Sequence, residues 1–187
     1  MLKNRAAWYL AVSQLSLIGF LLVCIIILPE YYSNGGGVSN YGVRAETILF
    51  FSLGSILAAG FAFLAAREIP KKKPGLSSLR SGLLILAIFL IVNLLATYPY
   101  KINLFFHLTH QFLAILFYLL QIALVWIVLS LVKTRASLGL VALFVLGTII
   151  SVVSLTPLLE SLLLGEALAY ISFATILVYS INRLKIL

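Results

Sequence analysis

The chain has 187 residues, 63% of them hydrophobic and 10% charged, with a mean hydropathy of +1.18. That is too little polar surface to cover a water-soluble globule of this size, so a soluble domain is excluded and lipid is the expected solvent. The net charge of +8 does not point to nucleic acid, because the basic residues cluster at the ends of apolar runs, as membrane orientation signals do.

The first apolar run, Trp8 to Leu28, follows Lys3 and Arg5. It is longer than the roughly 7–15 apolar residues of a secretory signal core, and Pro29-Glu30-Tyr31 offers no small-x-small cleavage site, so it reads as an uncleaved span. The single Cys24 lies inside this run and has no internal disulfide partner.

The segment Pro29 to Gly42 is the longest predicted loop on its side. It carries Tyr31, Tyr32 and three consecutive glycines before Val38-Ser39-Asn40-Tyr41-Gly42. Glycine opens backbone angles closed to other residues, and tyrosine suits a membrane interface, so this loop is expected to cap the mouth of a helical bundle. The glycines are not followed by the Lys-Ser or Lys-Thr pair of a phosphate-binding loop.

About 20 apolar residues are needed to cross roughly 30 Å of hydrocarbon. On that basis the next spans fall near 46–66, 81–98, 104–132, 137–156 and 165–182, with the fourth span the longest and the third the shortest. No alternating barrel pattern is present, so all six must be helices, giving an all-α, single-domain, six-helix transmembrane bundle. Small residues four apart, at Gly54/Ala58, Ser55/Ala59 and Gly147/Ser151, mark faces where helices can approach closely within it.

All but Arg44 and Lys101 of the 13 Lys and Arg fall in alternate connections and at the termini. The positive-inside rule therefore places both termini in the cytoplasm of a cell whose plasma membrane holds the protein. There is no Asp; Glu30, Glu46, Glu160 and Glu166 fall on the outer side and Glu68 on the inner. The predicted inner loop from Arg67 to Arg80 combines prolines with Lys71, Lys72, Lys73 and Arg80, a set able to hold anionic lipid headgroups.

The fourth span carries the richest polar set. His107, His110, Gln111, Ala114, Tyr118, Gln121 and Val125 recur at spacings of three and four and so share one helical face. They predict a polar stripe running inward from the outer surface, shared with Gln14 and Asn93. His107 and His110 are the only histidines, and their i, i+3 spacing can present two nitrogens to one zinc ion, with an outer glutamate as a third ligand. The motif lacks the glutamate base of HExxH, and without Asp a Ser-His-Asp triad is impossible. No acid or base falls mid-span, as a proton-coupled transporter would require.

Pro29-Glu30-Tyr31-Tyr32, the glycine run, Val38-Ser39-Asn40-Tyr41-Gly42, and Tyr98-Pro99 followed by His107 resemble a family of six-helix membrane proteins of bacteria and archaea. That family is grouped as a domain of unknown function and is distantly similar to the DRAM-type membrane proteins of eukaryotes. The resemblance implies the fold and a membrane location, and no reaction. Asn40 and Tyr41 stand where the related proteins usually carry an acidic residue.

The expected role is non-enzymatic: a lipid- or partner-binding membrane component without a cofactor, with an outer pocket lined by Tyr31, Tyr32, Tyr98, His107, His110, Gln111, Tyr118 and Gln121. Its partners would be membrane lipids, with another protein or a second copy of the chain also open. The alternative is a zinc-dependent hydrolase of lipid headgroups working through His107 and His110, and the third option is a small-solute transporter.

Overall fold

The computed structural model describes residues 4–30, 37–71, 74–99, 102–132, 135–154 and 162–184. Its elements are α1 (Arg5–Ile27), a 3-10 turn (Val38–Val43), α2 (Ile48–Glu68), α3 (Pro74–Thr97), α4 (Leu104–Leu131), α5 (Arg135–Val153) and α6 (Leu162–Arg183), with no strand among the described residues. Five of the helices are long and apolar enough to cross a membrane; the stretch Leu138–Val153 of α5 is a shorter apolar helix. Many large apolar side chains point outward, Ile26, Ile88, Phe112 and Trp126 among them. A water-soluble monomer does not expose apolar surface on that scale, whereas a bundle solvated by lipid does.

Local chemistry sets the helix ends. Asn4 caps α1 by accepting the Ala7 N–H at 2.7 Å, and its side-chain amide donates to the Ile181 carbonyl at 2.7 Å, tying the start of α1 to the end of α6. Asn103 caps α4 by accepting the Phe106 N–H at 3.1 Å. Leu28 and Ile69, each followed by a proline, have left the helical region, which ends α1 and α2.

Two helices differ in extent from the apolar runs that predict them. The third helix begins at Pro74, seven residues before the predicted Ser81, because proline suits the first helical position, where its missing N–H has no partner to lose. The shortest helix is therefore the fifth, at 19 residues, and not the third. Arg80 consequently sits within α3, where its guanidinium donates to the Ile69 carbonyl at 3.1 Å and closes the end of α2. Lys71 is exposed, while Lys72 and Lys73 lie outside the described residues.

Successive helices run antiparallel. Helices α1, α2, α3, α4 and α6 pack in a closed ring in that order, and α5 stands outside it against α6, with only slight contact to α4. Small residues set the two tightest seams. A side chain on Gly54 would meet Phe20 Cβ at 2.7 Å, and Ser13 donates to the Ala58 carbonyl at 2.7 Å, so α1 and α2 pack almost backbone to backbone. On the other seam, a Cβ on Gly147 would lie 2.5 Å from Ala169 N, and one on Gly165 would lie 2.5 Å from Ser151 N.

The two ends of the ring differ. Arg5, Arg67, Lys71, Arg80 and Arg183 lie at the end where α1 begins and α6 finishes, here the basic end. Trp8, Tyr9 and Phe61 pack together near this end, with ring centroids 5.4–6.3 Å apart. The half of the bundle towards it is filled by Leu10, Leu79, Leu83, Leu124, Ile176, Leu177 and Ile181, all fully buried.

The opposite end is closed by the 3-10 turn. Tyr41 is fully buried among Cys24, Phe51, Leu94 and Leu163. Its carbonyl accepts from the Thr47 hydroxyl at 2.7 Å, and its own hydroxyl donates to the Leu28 carbonyl at 3.5 Å. Gly42 is required here, because a Cβ would meet Thr97 Cγ2 at 2.6 Å and Phe51 at 2.8 Å. The described part of the glycine-rich loop thus caps the bundle, as its composition predicts.

Candidate functional site

Two recesses lie beneath the 3-10 turn. One, of about 110 Å³, sits inside the ring among Phe51, Leu90, Asn93, Phe117, Tyr118 and Tyr170, and reaches the surface between α1 and α6 beside the exposed Leu22 and Ile171. The other is a crevice of about 940 Å³ between α4 and α5, walled by Leu104, Ile115, Val152 and Leu162, with His107 and Gln111 at its mouth and His110, Tyr118 and Ser151 on its floor. Its size falls within the roughly 300–1,000 Å³ of small-molecule sites. The crevice exists because α5 is bound to α6 and scarcely to α4.

Ser39, His110, Ala114, Tyr118 and Glu166 line both recesses, so the two share a polar wall. Glu166 holds that wall together. It lies in the second turn of α6, and its Oε2 accepts the Val38 N–H at 2.6 Å, latching the start of the 3-10 turn to the helix. Gly37 completes the latch, since a Cβ there would lie 3.1 Å from Glu166 Oε2 and 3.0 Å from Leu162 Cδ2. Below it, the Tyr118 hydroxyl donates to Ser151 Oγ at 3.3 Å, and Ser151 in turn donates to the Gly147 carbonyl at 3.0 Å. Above it, burial pushes the Tyr41 phenol above its ordinary range, with neighbouring Cys24 and Glu30 adding to the effect.

The polar face predicted on α4 is present but divides. His107 and Gln111 are exposed at the crevice mouth and bond to each other at 3.1 Å. His110 is buried and faces both recesses. Gln121 is fully buried and lines neither; its amide has no hydrogen-bond partner among the described residues. Asn93 joins the inner recess as predicted, whereas Gln14 is buried away from both. Tyr98 lines neither recess and bonds to Ser52 Oγ at 2.9 Å. Tyr31 and Tyr32 lie outside the described residues.

Among the described residues no three His, Cys, Asp or Glu side chains converge as a metal site would require. His107, His110 and Glu166 all line the crevice but do not converge into such a group, and Glu160 lies outside the described residues. Among the described residues, neither recess is lined by a Lys or Arg.

Tyr170 and the Glu166 latch are parts that reading the sequence does not single out, while Ser39 and Ser151 stand out in it only as members of other patterns. Glu166 is visible only as one of four outer glutamates, and its pairing with Val38 spans 128 residues. A local signal for it does exist, because a glutamate directly after Gly165 in an apolar helix is unusual enough to question. Compared with known proteins, the chain matches no family model, no curated sequence and no solved structure.

Proposed function

We propose that this protein binds a membrane lipid in the crevice between α4 and α5, taking it sideways from the surrounding bilayer. The observation that carries the reading is the crevice itself. Its walls are apolar, its floor is polar, and the side chains at its mouth, Leu104, Ile115 and Val152, are exposed as lipid-facing residues are. An amphiphile matches that gradient, with its tail along the walls and its head on Tyr118 and His110. The closely packed half towards the basic end supports binding over passage of a solute through the bundle.

In this reading α5 also crosses the membrane, which brings the number of spans to six. Its apolar stretch of 16 residues, Leu138–Val153, covers about 24 Å at 1.5 Å per residue, which a locally thinned bilayer accommodates. The basic end faces the cytoplasm of a plasma-membrane protein, and the crevice opens in the outer leaflet. The zinc hydrolase alternative would need a third ligand from outside the described residues.

Ala114 touches both recesses, so Ala114→Trp fills their junction, whereas Ile149→Trp places the same ring on the exposed face of α5. Native mass spectrometry of protein released from discs of defined lipid is expected to show bound lipid in the natural protein and in Ile149→Trp, and its loss in Ala114→Trp. Equal lipid in all three would refute the reading.

A further inference from the structure

We propose that the site selects a cationic head group, that of a lipophilic amine or quaternary ammonium compound, seated against Glu166. This deepens the crevice-binding reading and rests on it. Glu166 is the one carboxyl group that the described residues place on the wall of both recesses. Glu166 lies within a membrane-spanning helix, lines both recesses, and uses one carboxylate oxygen to accept the Val38 N–H. A carboxylate offers about four lone-pair positions, and among the described residues no Lys or Arg lines either recess to share them. Acids held within a bundle are costly and are normally paired.

A ligand cation supplies the missing partner, and an anionic head group would meet repulsion instead. The rings around the inner recess favour the same choice. Tyr118, Tyr170 and Phe117 line it together with Glu166, and Phe117 and Tyr170 lie 5.9 Å apart between centroids. Aromatic faces attract ammonium groups and do so most when water is excluded. The inner recess, at about 110 Å³, is much smaller than the crevice with which it shares its polar wall, so it takes the head group and leaves the tail outside. The tail then leaves through the larger crevice between α4 and α5, or between α1 and α6 past Leu22 and Ile171.

Binding of labelled decyltrimethylammonium to the full chain in discs of zwitterionic lipid, with empty discs subtracted, tests the proposal. Saturable binding is expected, competed by decylammonium but not by decanol or decyl sulfate. Glu166→Gln keeps an acceptor for Val38 and removes the charge, and is expected to weaken binding by about tenfold or more. Competition by decanol as strong as by decylammonium in the natural protein would overturn the choice of head group without any variant, as would unchanged binding in Glu166→Gln. Either result would leave the crevice reading to stand or fall by the Ala114→Trp comparison. Absence of saturable binding in the natural protein would overturn the proposal as well.

Discussion

Replacing Gly147 by Ala probes the seam on which the crevice depends. The added Cβ would sit 2.5 Å from Ala169 N and 3.0 Å from both Ala169 Cα and the Gly165 carbonyl oxygen. All three are backbone atoms, so no side chain can swing aside. Ordinary contact begins near 3.4 Å, so α5 and α6 must part locally by about 0.9 Å, enough to forfeit a quarter to a half of the dispersion energy across the gap. Overpacking of this kind costs about 1–3 kcal/mol, set against a gain of about 1 kcal/mol from the better helix propensity of Ala. A methyl group added at Gly139, in the same helix, would meet nothing within 4 Å, so Gly139→Ala collects the gain alone. The two variants are therefore expected to differ in stability by about 1–3 kcal/mol, Gly139→Ala being the more stable. Denaturation by SDS titrated into a mild detergent, followed by circular dichroism, measures the difference. Gly147→Ala combined with Gly165→Ala should cost less than the two separately, because both strain the same seam. Equal stability of Gly147→Ala and Gly139→Ala would refute the reasoning.

Three further outcomes follow from other parts of the bundle. Asn4→Ala removes the α1 cap and the bond to the Ile181 carbonyl together, and should cost about 1–2 kcal/mol in the same titration; a loss below a few tenths would mean that neither bond holds in the membrane. Gln121→Met replaces a fully buried amide without a protein partner among the described residues, and should leave stability unchanged or raise it by about 1 kcal/mol, whereas a clear loss would show that the amide is satisfied in the membrane. Arg44 and Lys71 are exposed at opposite ends; with Cys24 replaced by Ala, an impermeant maleimide applied to whole cells should label Arg44→Cys and spare Lys71→Cys, and the reverse pattern would invert the topology.

What the sequence makes legible is what one helix or one interface decides. Span length, apolarity and charge placement are local quantities, so the fourth helix falls at Leu104–Leu131, within one residue of its hydropathy limits. Small residues four apart likewise anticipate both close seams, since a helical face is fixed by spacing alone. The third helix is misjudged because Arg80 lowers the apolarity of its first turns and Pro74 reads as a breaker, although at the first helical position it is a starter. The site is less legible. Spacing places His107 and His110 on one face of α4, yet only the packed bundle decides that His110 is buried while His107 turns to Gln111.

The latch between Glu166 and Val38 shows why that remainder is not local. A carboxylate inside an apolar helix is a cost unless something distant answers it, and the answer is an N–H at the start of a turn 128 residues earlier. That answer depends on Gly37, whose missing side chain lets the carboxylate approach, and on Tyr41, whose burial fixes the turn over the ring. One hydrogen bond leaves most of the carboxylate's accepting capacity facing the two recesses. The same residue thus closes the end of the bundle and places a carboxyl group on the wall of the cavity beneath it. A substitution that spares the latch while removing the charge separates the two roles, which is why Glu166→Gln tests recognition where Glu166→Ala would test only the cap.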